Sequence, residues 1–190
     1  MPGLKKFKTI PEIYLHLSEE FGPKSGHGIF KQKVSGKYED ISYATFKEET
    51  DSVAMGLASL GVKRNDKVAI ISENRPEWVY TDLAILGLGG VDVPIYPIST
   101  SETIEYILNN SEAVGIVVSN QFHMNKVLKI KNNVKSLRFI IVMNDIDTNG
   151  EKDVYLLSDV KKLGSEFANE NPNHFVDNIN LSREDDLCTL

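Results

Sequence analysis

Residues 67–119, KVAIISENRPEWVYTDLAILGLGGVDVPIYPISTSETIEYILNNSEAVGIVVS, decide the fold. Three short apolar runs, KVAII, VDVPIY and AVGIVVS, alternate there with two longer segments. A strand that is apolar at nearly every position is buried on both faces, the pattern of a parallel sheet covered by helices. PEWVYTDLAILGLGG is apolar all round and ends in glycines, which predicts a helix buried on both sides. SETIEYILNNS predicts another helix, with Ser99 and Glu102 spaced as a capping box. Strand and helix in alternation predict an α/β fold: a mostly parallel sheet flanked by helices on both faces.

The same reading extends outward in both directions. Tyr43, Phe46, Thr50, Val53, Leu57 and Leu60 recur at steps of three and four, the stripe of an amphipathic helix, with Ser42 placed to cap it and Gly61 to stop it. Before it, GIFKQKV and KYEDIS flank SGK and predict an N-terminal β-hairpin. Residues 1–26 read as an arm with one short helix, PEIYLHLSEEF, whose apolar side is Ile13, Leu17 and Phe21, closed by the turn-rich GPKSGHG. Residues 27–190 then form the α/β unit. Beyond residue 119 the helix QFHMNKVLKIKNN, the strand LRFIIVM, the hydrophilic NDIDTNGEKD and the helix LLSDVKKLGSEFANEN follow. NENPNHFVDNINLSRED reads as a polar surface connection, and EDDLCTL as three acids leading into a buried strand. Such a strand needs a continuation or neighbours on both sides, so a cut in a longer chain is the expectation.

With 190 residues, 41% of them hydrophobic and 25% charged, the chain can bury a real core. Its net charge of -6 disfavours a nucleic-acid-binding role. The start MPGLKKFKTIPEIYLHL has no uninterrupted apolar core of a signal peptide, and Leu83 to Val91, the longest uncharged apolar stretch, is too short to span a bilayer. One cysteine, Cys188, excludes an internal disulfide and suits a reducing cytoplasm; within an apolar strand it reads as a small hydrophobe. The cytoplasm is the expected location.

Few motifs carry chemistry. GLGGVD has the glycines of a dinucleotide fingerprint in reverse order, after a helix and before a strand, so packing explains them better. GPKSGHG lacks the ending of a phosphate loop. His16, His27, His123 and His174 have no metal-ligand spacing, and no metal site is expected. Lys126, Lys129, Lys131, Lys135 and Arg138 form a basic cluster without an intervening acid, a solvated face or a site for phosphate or an anionic membrane. Asn74 and Tyr96 follow the strands KVAII and VDVPIY. In open parallel sheets ligands gather at such carboxyl ends, although a helix cap also accounts for Asn74.

The stretch from ISYATF to GIVVS resembles the amino-terminal part of AMP-forming acyl-CoA synthetases, members of the adenylate-forming superfamily. The resemblance covers roughly residues 9–190 and rests on SYATF, LGVKRNDKVAI, NRPEW, and the glycine helix end followed by VPIYP and a Ser/Thr-rich helix start. NRPEW together with VPIYP looks most like the long-chain fatty acid branch. The resemblance implies a two-step ligase that uses ATP, Mg²⁺ and coenzyme A to turn a fatty acid into acyl-CoA, AMP and diphosphate through acyl-AMP. It also implies part of the large N-terminal domain of such an enzyme. The family's phosphate loop, ribose-holding acid and mobile-domain lysine belong to later motifs, so no catalytic residue is transferred here, and the chain alone is expected to be inactive. Asn74 and Tyr96 stand as residues near substrate or cofactor, and Lys126, Lys129 and Lys131 as a phosphate-binding cluster. A homodimer contact through the arm and peripheral membrane association are further candidates. The competing readings are a stand-alone binding module of the same fold, another acyl or aryl adenylate-forming ligase, and, on GLGGVD alone, a nucleotide-dependent oxidoreductase.

Overall fold

The computed structural model describes residues 6–24 and 28–190. Residues 1–5 of the arm, and Ser25, Gly26 and His27 where the arm was expected to give way to the α/β unit, lie outside them. The sheet runs in the order β4(Val91–Ile95), β3(Lys67–Ile71), β5(Gly115–Val118), β6(Phe139–Val142), β7(Val154–Leu156), and every neighbouring pair is parallel. The hairpin β1(Gly28–Val34) and β2(Lys37–Ser42) forms a separate antiparallel sheet turning at Ser35 and Gly36.

The strands sort the core into two layers. Val68 and Ile70 of β3 enter one layer with α2(Tyr43–Ser59), α3(Pro76–Gly87), α6(Leu157–Glu170) and α7(His174–Asn180). Ala69 and Ile71 enter the other, with α4(Ser101–Ser111) and α5(Gln121–Ile130). All four side chains are fully buried, as their continuous apolar run requires. Ser42 caps α2 by accepting the Thr45 amide at 3.1 Å, and the expected stripe buries Phe46, Thr50, Val53 and Leu57. No helix among the described residues is long and apolar enough to cross a membrane.

Several local expectations are corrected. The cap of α3 is Arg75, which makes no side-chain capping bond, so Asn74 does not fill that role. The cap of α4 is Thr100, whose hydroxyl accepts from the Thr103 amide; the Ser99–Glu102 box does not form. In α1(Ile10–Phe21) the inward face is Pro11, Tyr14 and Ser18, while Ile13 is 38% exposed. The Tyr14 hydroxyl donates to Asp51 at 2.6 Å and fixes α1 on α2. Residues 154–156 form the edge strand β7, and the polar connection contains α7, which buries Phe175 and Ile179, four residues apart. The terminal run makes only a single bridge, from Thr189 to Asp92, and Leu187, Cys188 and Leu190 are exposed.

Glycines set two close approaches. A side chain at Gly87 would meet the Phe175 ring, and one at Gly89, where φ is +73°, the Arg64 guanidinium. The glycines of GLGGVD are therefore packing positions at a helix end. Where α2 crosses α6, a Cβ at Gly164 would lie 2.5 Å from the Ser52 carbonyl oxygen and 2.6 Å from the Gly56 nitrogen. Backbone on both sides leaves nothing to yield. Gly164→Leu is expected to cost about 3 kcal/mol, lowering Tm by roughly 10 °C, whereas exposed Asn169→Ala stays near wild type. Equal Tm values for the two variants would contradict this close crossing.

Candidate functional site at the carboxyl ends of the strands

Chain order dictates where a crevice opens. From β3 the chain crosses through α3 to β4 on one side, then returns through α4 on the opposite face to β5 on the other side of β3. The loops leaving β3 and β5 therefore diverge to opposite faces, into α3 and α5. Such a switch point is where open parallel sheets leave room for a ligand.

The residues there come from four loops. Glu73, Asn74 and Arg75 follow β3, Tyr96 follows β4, Ser119 and Asn120 follow β5, and Asn144 follows β6. The strand ladders run on into this end: the Ser119 amide donates to the Ile71 carbonyl at 3.0 Å and the Asn144 amide to that of Ser119 at 3.1 Å. Arg75 forks onto Glu77, Nε to Oε2 at 2.8 Å and Nη2 to Oε1 at 3.0 Å, while Nη1 donates to Asn144 Oδ1 at 2.8 Å. One guanidinium thus ties the first turn of α3 to the end of β6. Burial pushes the Glu77 carboxyl up, but the Arg75 fork outweighs it and holds the group below its ordinary value.

At the start of α5, Asn120 Oδ1 accepts from the His123 amide at 3.2 Å and Asn120 Nδ2 donates to Ser119 Oγ at 3.0 Å. His123 is 5% exposed, and its Nδ1 is buried without a hydrogen-bond partner. Burial, reinforced by the Lys126 ammonium and opposed by Glu73, pulls its pKa below the ordinary histidine value. Glu73 is pushed up by burial, but the Ser119 hydroxyl, its own amide and the charge of Arg75 prevail and hold it below its ordinary value. The switch point therefore presents a neutral imidazole, a hydroxyl and a carboxylate side by side.

The expected site residues are placed as follows. Asn74 is exposed and lines the groove between the hairpin and α3, beside Gln32, Tyr38 and Val79. Tyr96 is 81% exposed. Lys126 sits over the Phe122 ring at 4.5 Å and donates to the carbonyls of Ser99 at 2.7 Å and Pro97 at 3.3 Å, pinning the loop after β4 to α5. Lys129 lies exposed in the last turn of α5, and Lys131 donates to the Lys152 carbonyl. The structure thus brings Asn74, Tyr96 and Lys126 to one end of the sheet and spreads Lys129 and Lys131 along α5 and the 3₁₀ turn that follows. Sequence reading left out Glu73 and Ser119 and considered His123 only as a metal ligand, without placing it at this site. Their signal was positional, since each lies within five residues of the end of a buried strand.

His123 yields a direct test by NMR. Its titration midpoint is expected below the ordinary 6.5, to rise in Lys126→Met and to fall further in Glu73→Gln. With its folded pKa depressed, the stability it contributes is present above the unfolded value and is lost as pH falls through the folded one. A midpoint at or above 6.5 would contradict the buried, neutral imidazole.

Comparison with known proteins is informative at this point. A family model described as AMP-binding enzyme matches residues 26–190. The long-chain-fatty-acid–CoA ligase FadD15 of Mycobacterium bovis is 35% identical over 113 residues, 60% of this chain and 19% of that protein. The long-chain-fatty-acid–CoA ligase ACSBG1 of Rattus norvegicus is 30% identical over 169 residues, 89% of this chain and 23% of that protein. The crystal structure of the anthranilate CoA ligase AuaEII in complex with anthranoyl-AMP matches with a TM-score of 0.67 at 21% identity, over 95% of this chain and 31% of that one. The A-PCP didomain of carboxylic acid reductase from Segniliparus rugosus in complex with AMP matches with a TM-score of 0.66 at 18% identity, over 81% and 26%. These two structures share the fold, that of the N-terminal domain of adenylate-forming enzymes. The chain spans about a fifth to a quarter of the length of the curated relatives it matches. With the family model covering most of its residues, the chain belongs to the AMP-binding enzyme family.

Proposed function

We propose that the protein serves as the amino-terminal portion of a long-chain fatty acid CoA ligase. In the whole reaction a fatty carboxylate oxygen attacks the α-phosphorus of ATP, diphosphate leaves, and acyl-AMP forms. The thiol of coenzyme A then attacks the acyl carbon, and AMP departs with the electrons of the broken acyl–oxygen bond. Within that reaction these residues supply the sheet and one wall of the acyl and coenzyme A sites. Residues 1–26 act as an arm on the 27–190 unit.

The crevice at the ends of β3 and β5 carries this reading. It offers hydrogen-bonding groups: the buried, unpartnered Nδ1 of His123 and the exposed Asn74 and Tyr96. Asn74 and Tyr96 would contact substrate or cofactor, and of the basic cluster the exposed Lys129 would meet phosphate groups approaching α5, since Lys126 and Lys131 donate to backbone carbonyls. Among the described residues no group of three or more His, Cys, Asp or Glu side chains is placed to hold a metal ion, and no step here is routed through Mg²⁺. The relatives' names support the long-chain substrate, and the share of their length left unspanned supports placing the chemistry elsewhere.

The test is exchange of labelled diphosphate into ATP, driven by a long-chain fatty acid. No exchange above background is expected from the 190-residue chain. Exchange at a rate typical of a ligase would refute the assignment of the chemistry to other segments. A stand-alone binding module predicts the same silence, and the coding sequence separates the two: a glycine- and Ser/Thr-rich phosphate loop directly after codon 190 supports the ligase, and a stop codon supports the module.

A further inference from the structure

One buried polar cluster lies apart from the switch point. Val93 and Ile95 of β4 enter the α4–α5 layer, so by alternation Asp92 faces the other way, toward α3. It is 3% exposed, and its Oδ1 has no hydrogen-bond partner. Asp82 of α3 meets it carboxyl to carboxyl. An aspartate in a strand interior is unfavourable unless something satisfies it. Here its partner is another acid.

Among the described residues no cation acts on the pair. Burial, the Asp82 carboxyl and the Val93 amide are the influences on Asp92, and burial and Asp92 those on Asp82. Charged groups on the helices packed against α3 have partners of their own: on α1 Glu12 accepts from the Lys8 amide and His16 lies on Glu20, and on α2 Asp51 is held by Lys47 and Glu49 by Lys161. On α3, Glu77 is held by Arg75, and beside the terminal segment Asp186 is held by Arg64. Lys67 stands one residue before Val68, the β3 partner of Asp92, and Asp177 and His174 lie on α7. Cys188 touches Asp92 through its carbonyl. Two buried carboxyls in contact cannot both ionise cheaply, so one proton is retained between them.

Asp92 also has a second attachment. Its amide donates to the Cys188 carbonyl at 2.9 Å, and its carbonyl accepts from the Leu190 amide at 3.1 Å. These bonds hold residues 188–190 on the outer edge of β4. We propose that Asp82 and Asp92 form a proton-sharing latch: the shared proton holds α3 to β4 and keeps the β4 edge in register with residues 188–190, and its loss drives the carboxylates apart and releases that edge.

The sign follows from linkage. Burial, with the Asp82 charge added, raises Asp92 well above the ordinary carboxyl range, and burial raises Asp82 as well. Groups raised on folding stabilise the fold fully below their unfolded values and lose that contribution as pH rises through the folded ones. The latch is therefore closed in mild acid and opens in mild alkali.

The test uses the 190-residue chain, with Asp92→Asn and Asp82→Asn, across mildly acid to mildly alkaline pH. In the wild type the folded-to-unfolded ratio is expected to fall by up to about tenfold per pH unit while the folded pair keeps a proton that the unfolded chain has lost, and to level off as that proton leaves. Amide protection at position 92, corrected for intrinsic exchange, is lost with it. Both variants remove one charge while keeping shape, so both should flatten the slope and keep the protection. The Asp82 variant gives the same reading should Asp92→Asn fail to fold. Carboxyl carbon NMR should show at least one of the two aspartates titrating well above the ordinary range. Both aspartates titrating near the ordinary value, or variants with the wild-type slope, would overturn the proposal.

Discussion

Burial of β3 and β5 on both faces is the constraint from which the rest follows. Val68 to Ile71 and Ile116 to Val118 are all fully buried, so neither of these runs has room for a charge or a hydrogen-bonding side chain. Helices must cover both faces, and each connection has to choose one. Because β4 and β5 lie on opposite sides of β3, the choice reverses there and the loops part. Polar residues excluded from the strands collect where the loops part. The site is thus the complement of the core.

At that end the electrostatics separate into fixed and available groups. The Arg75 fork on Glu77 and Asn144, and the Lys126 ammonium on two carbonyls, are committed to holding loops. Glu73 and Ser119 stabilise each other across the gap between strands. His123 differs from all of these, because its buried Nδ1 has no partner and burial keeps the ring neutral. A preorganised frame with one unsatisfied group suits a wall that receives a ligand better than a centre that carries out bond-breaking.

Much of this was legible in the sequence, for a physical reason. The four longer strands of the parallel sheet announce themselves as largely apolar runs, and α2 by its stripe, because burial on two faces or on one leaves a regular trace. The carboxyl-end rule pointed to Asn74 and Tyr96 before any coordinates. What stayed hidden lacked such a trace. β7 has three residues, too few for a period. The polar composition of α7 masked the pair Phe175 and Ile179. Ser99 and Thr100 are chemically equal as caps, and only backbone geometry chose between them. His123 looks like any histidine on an amphipathic helix until the strand ends are set around it, and the contact of Asp82 with Asp92 joins two elements whose facing no spacing rule predicts.

Membership in the AMP-binding enzyme family and the position of the switch point lead to one claim, that ligand meets this part of the molecule at the carboxyl ends of β3, β4 and β5. The most direct measurement is amide chemical-shift mapping of the ¹⁵N-labelled chain with millimolar coenzyme A. The account predicts the largest shifts at Glu73, Asn74, Tyr96, Ser119 and His123. Shifts concentrated at the opposite end of the sheet, around Asp66 and Gly90, or no shifts at all, would contradict it.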